Sequence, residues 1–95
     1  MIYVYLAEGF EEVEALTAVD VMRRAGIEVQ TVSITGSKTV KGTHDIKVEA
    51  DIVYEEADHE KCEMIVLPGG LPGADYLNEH EGLAKHIACF AKDEG

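Results

Sequence analysis

Two features of this 95-residue chain have residue types that could carry out chemistry. Glu14 is an acid among apolar residues, and a Pro68-Gly69-Gly70 turn follows an apolar run. Paired glycines let backbone N–H groups approach a ligand closely, and two such donors can hold a developing oxyanion. A carboxylate removed from water favours its protonated form, which suits acid/base work. Glu14, Gly69 and Gly70 are therefore the candidate catalytic residues.

The elements that must position these residues are read from the apolar pattern. Residues 2–7 are a continuous apolar run, typical of a strand buried on both faces. A helix is predicted to begin near residue 11 and to end near residue 25, with Gly26 as its stop. Residues 27–34 return as a strand, which completes a βαβ unit, and residues 64–67 form a third buried strand. Ligands in such folds bind beyond the carboxyl ends of the strands, where the glycine turn lies.

Glu14 admits two interpretations at this point. On the helix it shares a line with Ala18 and Val21, so we expect it to lie against apolar neighbours rather than in open water. Alternatively, it is only a first-turn acid like Glu11 and Glu12, placed where the helix dipole favours negative charge. Spacing alone does not decide between them.

The rest of the chain favours an α/β protein with a mostly parallel sheet in a three-layer design. Residues 35–37 are predicted to turn, and alternation within residues 40–48 predicts a hairpin-like excursion at one sheet edge. Residues 51–63 are acidic and ambiguous between a loop and a short helix, and residues 78–93 are predicted to form the last helix. One domain at most fits this length.

Composition excludes several classes of function. Nineteen acidic and eight basic residues give a net charge of −11, which repels nucleic acid and anionic membrane surfaces. We therefore expect neither as a partner. No segment approaches a membrane-spanning length, and the opening run is too short for a secretory signal. Two cysteines in such a chain predict a cytoplasmic protein with free thiols.

The cysteines and histidines give no independent catalytic or metal signal. Cys62 has acidic neighbours, which disfavour its thiolate, and Cys89 falls on the flank of the last predicted helix. Neither is expected to be catalytic. The histidines lack metal-ligand spacing, and no dinucleotide, phosphate or EF-hand pattern occurs, so we expect no metal and no cofactor. These histidines are His44, His59, His80 and His86.

Three ordered motifs together resemble the ThiJ/PfpI superfamily, in particular the subgroup of the Parkinson-disease-linked deglycase and the bacterial proteins labelled as thiazole-phosphate biosynthesis enzymes. They are AEGFEEVEAL at residues 7–16, VDVMRRAG at 19–26 and VLPGG at 66–70. The resemblance implies a flavodoxin-like three-layer sandwich. It covers only about the first half of the family's domain. We therefore expect residues 1–95 to be the N-terminal half of one such domain, with the nucleophile-bearing half absent from this chain.

The resemblance also implies roles for individual residues. Glu14 matches the protonated glutamate that hydrogen-bonds a cysteine thiolate on a strand-to-helix elbow. Gly69 and Gly70 match the backbone donors that face the substrate oxygen. The first helix matches a homodimer interface, at which Asp20 resembles the acid that reaches towards a neighbour's active-site histidine and Arg24 helps to order the contact.

The function that this resemblance implies is cysteine-dependent chemistry on small carbonyl compounds or their adducts, of the glyoxalase or deglycase kind. Alternatives are a redox-sensing or holdase protein that responds to oxidative stress without turnover, and a peptidase or amidase of the same superfamily. We expect no thiol-dependent catalysis from this chain alone. The expected partners are the C-terminal half of the same protein, as a second polypeptide, and a second copy that pairs through the first helix.

Overall fold

The structure, a computed structural model, describes residues 1–70, 77 and 80. The predicted last helix and Cys89 lie outside the described residues. Six strands and one α-helix are described, with two 3-10 helices at Tyr54–Glu56 and His59–Lys61. The main elements are β1 (Ile2–Leu6), α1 (Glu12–Arg24), β2 (Val29–Ser33), β3 (Thr39–Lys41), β4 (Lys47–Glu49), β5 (Ile52–Val53) and β6 (Met64–Val66).

Four strands form a parallel sheet in the order β5-β2-β1-β6. β1 is central and buried on both faces, which explains its unbroken apolar sequence. One of its faces contributes Val4 and Leu6 to a core cluster, and the other contributes Tyr3 and Tyr5 to a second cluster. The predicted α/β class with a mostly parallel sheet is confirmed.

α1 connects β1 to β2 and covers one face of the sheet with Ala15 and Val19. The Glu11 side chain caps it by accepting a hydrogen bond from the Val13 N–H at 3.0 Å. The helix nevertheless keeps apolar side chains outside: Val13 is 68% exposed and Val21 59%. This helix therefore has more apolar surface than the described sheet covers.

Two predictions for the middle of the chain need correction. β3 and β4 form the predicted hairpin, but as a separate two-stranded antiparallel sheet rather than at an edge of the main sheet. It lies instead on the loop between β1 and α1, where the Gly9 N–H donates to the Lys41 carbonyl at 2.8 Å. The acidic segment 51–63 contains an unpredicted strand, β5, beside β2.

β5 is held in place by a side chain that precedes it. Asp51 Oδ2 accepts hydrogen bonds from the Thr31 backbone N–H at 2.9 Å and from Arg23 Nη2 at 2.7 Å. These contacts join the strand to β2 and to the end of α1. Among the described residues, no helix has the length and apolar character that crossing a membrane requires.

Candidate functional site

The site is built where the carboxyl ends of β1 and β6 meet the first turn of α1. β6 pairs directly with β1, so the turn that follows it reaches the helix N-terminus. The Gly69 N–H donates to Glu14 Oε1 at 2.8 Å, and the Glu11 N–H donates to the Gly69 carbonyl at 2.8 Å. Two hydrogen bonds of opposite direction thus join the glycine turn to the helix.

Gly70 is required by the close approach of this turn. Its φ is +98°, and a Cβ at this position would lie 2.7 Å from both the Gly9 carbonyl oxygen and the Glu11 backbone nitrogen. Side chains rarely adopt this conformation, and no real Cβ makes contacts that short. The second glycine of the pair therefore lets the turn pack against the β1–α1 loop.

Beside Glu14 lies an open groove of about 570 Å³, which we call the α1 groove. It runs along the outer face of α1 next to β6, which is an edge strand in the part of the chain that the structure describes. Its lining is apolar except for Glu14 and one hydroxyl: Val13, Glu14, Thr17, Ala18, Val21, Met22 and Val66. One carboxylate therefore faces an apolar groove at the carboxyl ends of the strands.

The structure brings Glu14, Gly69 and Gly70 together, as the sequence predicted. The expectation that Glu14 is shielded from water is wrong for this chain, because its side chain is exposed even though its groove neighbours are apolar. The Gly69 amide is also already donating to the Glu14 carboxylate. A side-chain oxygen of this chain thus occupies the place in which a substrate oxyanion was expected.

A second carboxylate on the same helix turn was not predicted to matter. Glu12 is 1% exposed, yet its two oxygens accept three hydrogen bonds. Oε2 accepts from the backbone N–H groups of His44 at 2.7 Å and Ile46 at 3.2 Å, and Oε1 lies 2.7 Å from His44 Nδ1. This carboxylate therefore fastens the hairpin between β3 and β4 to the start of α1.

The hydrogen-bond partners of Glu12 favour the charged form of its side chain. Burial opposes ionisation of Glu12, but the hydrogen bonds from its own backbone and from His44 and Ile46 outweigh burial and hold its pKa at about 2. The hydrogen bond to Glu12, and next the charge of Glu11, raise the pKa of His44. Glu11 Oε1 lies 3.7 Å from the imidazole Nδ1. The two shifts have opposite directions, and both favour the charged forms of Glu12 and His44.

The backbone at Gly42 is shaped by Glu12. A Cβ at Gly42 would collide with the Glu12 carboxylate, so only glycine lets the hairpin backbone lie this close to the buried side chain.

Glu11, Glu12 and His44 are residue types that can also bind metals, with their polar atoms within 4.8 Å of one another. Glu12 and His44 are already hydrogen-bonded to each other, and Glu11 Oε1 accepts from the Val13 N–H, so we interpret the group as an ion-pair network.

The signal that could have revealed Glu12 lies in its spacing. Glu12, Ala15 and Val19 are the buried residues of α1, and positions 12, 15 and 19 follow the period of one helix face. Glu12 therefore stands on the line of the core rather than on the solvent side. Sequence reasoning grouped it with Glu11 as a first-turn acid and overlooked His44, 32 residues later, as its partner.

The other predicted residues lie apart from the glycine turn. Asp20 and Arg24 form an exposed ion pair with each other, with Arg24 Nε 3.0 Å from Asp20 Oδ1. Cys62 precedes β6 and so lies at the opposite end of that strand from Gly69. Burial raises the pKa of the Cys62 thiol, which donates to the Met64 carbonyl at 3.3 Å. A thiol in this state is a poor nucleophile.

The chain is similar in sequence to known proteins. The DJ-1/PfpI family model matches residues 1–95. The protein dj-1beta of Drosophila melanogaster is 40% identical over 76 residues, which are 80% of this chain and 41% of that protein. The Parkinson disease protein 7 homolog of Danio rerio is 40% identical over 77 residues, again 80% of this chain and 41% of that protein.

Solved structures of related proteins share the fold. A mutant of a DJ-1 superfamily protein from Salmonella typhimurium has a TM-score of 0.90 and 33% identity, over 97% of this chain and 50% of that one. Oxidized DJ-1 of Toxoplasma gondii has a TM-score of 0.88 and 31% identity, over 93% of this chain and 48% of that one. The chain thus spans about half the length of the relatives it matches, and it belongs to the DJ-1/PfpI family.

Proposed function

We propose that this chain supplies the N-terminal half of a cysteine-dependent enzyme that acts on small carbonyl compounds or their adducts, as a glyoxalase or deglycase does. The observation that carries the proposal is the 2.8 Å hydrogen bond between the Glu14 carboxylate and the Gly69 N–H. It unites a group that can carry a proton with a donor that can stabilise negative charge, beside an apolar groove.

The proposed chemistry begins when a cysteine thiolate attacks the carbonyl carbon of an α-oxoaldehyde. A carbon–sulfur bond forms, the carbonyl π electrons move to oxygen, and the product is a hemithioacetal oxyanion. Backbone N–H groups of Gly69 and Gly70 would stabilise this oxygen. The proton that leaves the cysteine thiol as the thiolate forms would pass to Glu14, which would then deliver it to the oxyanion. A substrate oxygen would then replace the Glu14 carboxylate as the partner of the Gly69 amide.

The nucleophile has to come from outside the described residues. Cys62 lies beyond the amino end of β6, whereas Glu14 and Gly69 lie at its carboxyl end. The apolar edge beside the α1 groove is the surface that a further strand and helix would cover. We therefore propose completion by a C-terminal half as a second polypeptide, and pairing of two completed domains through α1 in the cytoplasm.

The test is turnover of methylglyoxal by the chain purified together with the C-terminal half of the domain. Glu14→Gln is expected to lower kcat about 100-fold or more, because general acid/base groups contribute on the order of 10²–10⁴-fold. Glu49→Gln, which changes an exposed acid on β4, is the matched control and should retain activity. Turnover by the 95-residue chain alone, lost on Cys62→Ser, would contradict the proposal.

A redox-sensing protein without turnover is the second candidate, because the relative from Toxoplasma gondii was solved in an oxidized form. In that case the cysteine would be converted to an oxyacid by peroxide rather than used in turnover. Activity and intact mass of the completed protein, before and after peroxide, distinguish the two. A gain of oxygen mass in a protein with no prior turnover would favour the sensor.

A further inference from the structure

The start of α1 is fastened to the β3–β4 hairpin by contacts that the proposed chemistry does not use. Backbone hydrogen bonds of 2.8 Å join Gly9 N to the Lys41 carbonyl and Thr43 N to the Phe10 carbonyl. Between them and the helix, the buried Glu12 carboxylate accepts its three hydrogen bonds from the hairpin. The loop that leads into α1 is therefore held on one side by the hairpin.

The same stretch is held on its other side by the glycine turn. Glu11, one residue before Glu12, donates its N–H to the Gly69 carbonyl, and Glu14, two residues after it, accepts from the Gly69 N–H. Residues 12–14 belong to one helical turn, whose backbone moves as a unit. A shift of the helix start at Glu12 is therefore expected to move Glu14 relative to Gly69.

We propose that Glu12 and His44 are positioning residues, which hold Glu14 against the Gly69 N–H through an ion pair that depends on the charge of His44. This inference uses the proposed function only for its consequence for catalysis. The hydrogen bond that it concerns is measured directly, so its failure and the failure of the proposed function are distinguishable.

Among the described residues, few charged groups lie around this pair. Glu11 faces the imidazole from the helix side, at 3.7 Å. Glu8, in the loop before α1, accepts a hydrogen bond from the Lys41 N–H at 3.3 Å. On the hairpin, the Lys41 ammonium lies 3.6 Å from Asp45, so its charge is directed to a neighbour on the same element. Glu11 and Glu12 therefore set the charge state of His44.

The pH window follows from the two shifts. The pKa of His44 is raised above its ordinary 6.5, so its stabilising charge is fully present below about pH 6.5 and is lost as the pH rises through the raised value. The pKa of Glu12 is lowered from 4.5 to about 2, so its contribution is present above about pH 4.5 and is lost as the pH falls towards 2. Both charges are therefore fully present between about pH 4.5 and about pH 6.5.

The experiment is an NMR titration of the Gly69 backbone amide between about pH 6 and about pH 9, with the His44 ring resonances followed in the same samples. In the wild type, the Gly69 resonance should move with the pKa of His44. In His44→Asn, which keeps an N–H donor near the Nδ1 position without a titrating charge, this movement should be lost. Glu49→Gln, on the same hairpin, should titrate as the wild type does.

A series of His44 variants distinguishes a role in positioning Glu14 from a general effect on folding. His44→Ala should shift the Gly69 resonance towards its value in Glu14→Gln at every pH, and His44→Asn should restore part of the difference near neutral pH. A Gly69 resonance in His44→Ala that matches the wild type would overturn the inference. A Gly69 titration that survives in the folded His44→Asn protein would overturn it as well, even if His44→Ala does not fold.

Discussion

Glu12 and Glu14 lie two residues apart on the first turn of α1, and their surroundings are opposite. Glu12 is buried, and the hairpin supplies three hydrogen bonds to its carboxylate in addition to the one from its own backbone. Glu14 is exposed beside the α1 groove, and the glycine turn gives it one donor. A carboxylate whose lone pairs are taken serves structure, whereas one with free lone pairs can exchange partners during a reaction.

The most direct test of this difference is to remove the charges of Glu12 and Glu14 in separate variants. Glu12→Leu removes both carboxylate oxygens, which leaves the partly buried backbone N–H groups of His44 and Ile46 without their acceptor. We expect it to melt far below the wild type or without a cooperative transition. Glu14→Gln, in solvent, should change the free energy of unfolding by no more than about 0.5 kcal/mol. Thermal unfolding followed by circular dichroism makes the measurement, and equal losses would contradict the comparison.

Lowering the pH should also remove the charge of Glu12 and destabilise the protein, without a substitution. Because the pKa of Glu12 in the folded protein is about 2 and its ordinary value is 4.5, stability is expected to fall as the pH drops through this range. Glu63 also has a lowered pKa, through its hydrogen bond to the N-terminal ammonium, so Glu63→Gln is the matched control. Urea unfolding across this range measures the slope, which should persist in Glu63→Gln. A wild type with equal stability at both ends would contradict the assignment.

A substitution in the glycine turn should lower the free energy of unfolding by a smaller amount, for a more specific reason. Gly70 and Gly36 both have positive φ, +98° and +87°, but only Gly70 would bring a Cβ against backbone atoms. Gly36→Ala should cost about 1 kcal/mol for the conformation alone. Gly70→Ala should cost about 1–3 kcal/mol more, since the turn must withdraw from the β1–α1 loop. Denaturant unfolding of the two variants gives the difference, and equal costs would mean that the close approach carries no energy.

The smallest expected effect is at the exposed end of α1. In the chain as described, Asp20→Ala removes an exposed i,i+4 pair with Arg24, worth about 0.3–0.5 kcal/mol. The proposed pairing through α1 sharpens this prediction, because the same substitution should then weaken the dimer measurably. Sedimentation at several protein concentrations tests it, with Glu49→Gln as the control. An unchanged dimer would remove Asp20 from the proposed interface.

The elements that local pattern could predict are the ones that position the candidate site. The apolar run of residues 2–7, the stop at Gly26 and the strand before Pro68 predicted β1, α1 and β6 correctly. The rule that ligands bind beyond the carboxyl ends of strands then placed the glycine turn near the helix, and the structure confirms the contact with Glu14.

What the sequence did not reveal depends on distant partners. β5 has two residues, and it is a strand only because Ile52 pairs with Val32, 20 residues earlier. The hairpin's location depends on the Glu12 carboxylate, whose burial is hidden in a cluster of acids that all suit a helix N-terminus. The sequence also did not predict that Glu14 is exposed. An apolar helix face predicts that other elements cover it, and the described residues do not cover the outer face of α1.

The two contacts of the helix start differ in the length of chain that must be synthesised before each can form. The contact between Glu12 and His44 spans 32 residues, whereas the contact between Glu14 and Gly69 spans 55 and needs β6 beside β1. As the chain leaves the ribosome, the helix start can thus contact the hairpin before Glu14 meets the glycine turn. The support would be in place first, and the groups that it presents would be assembled last.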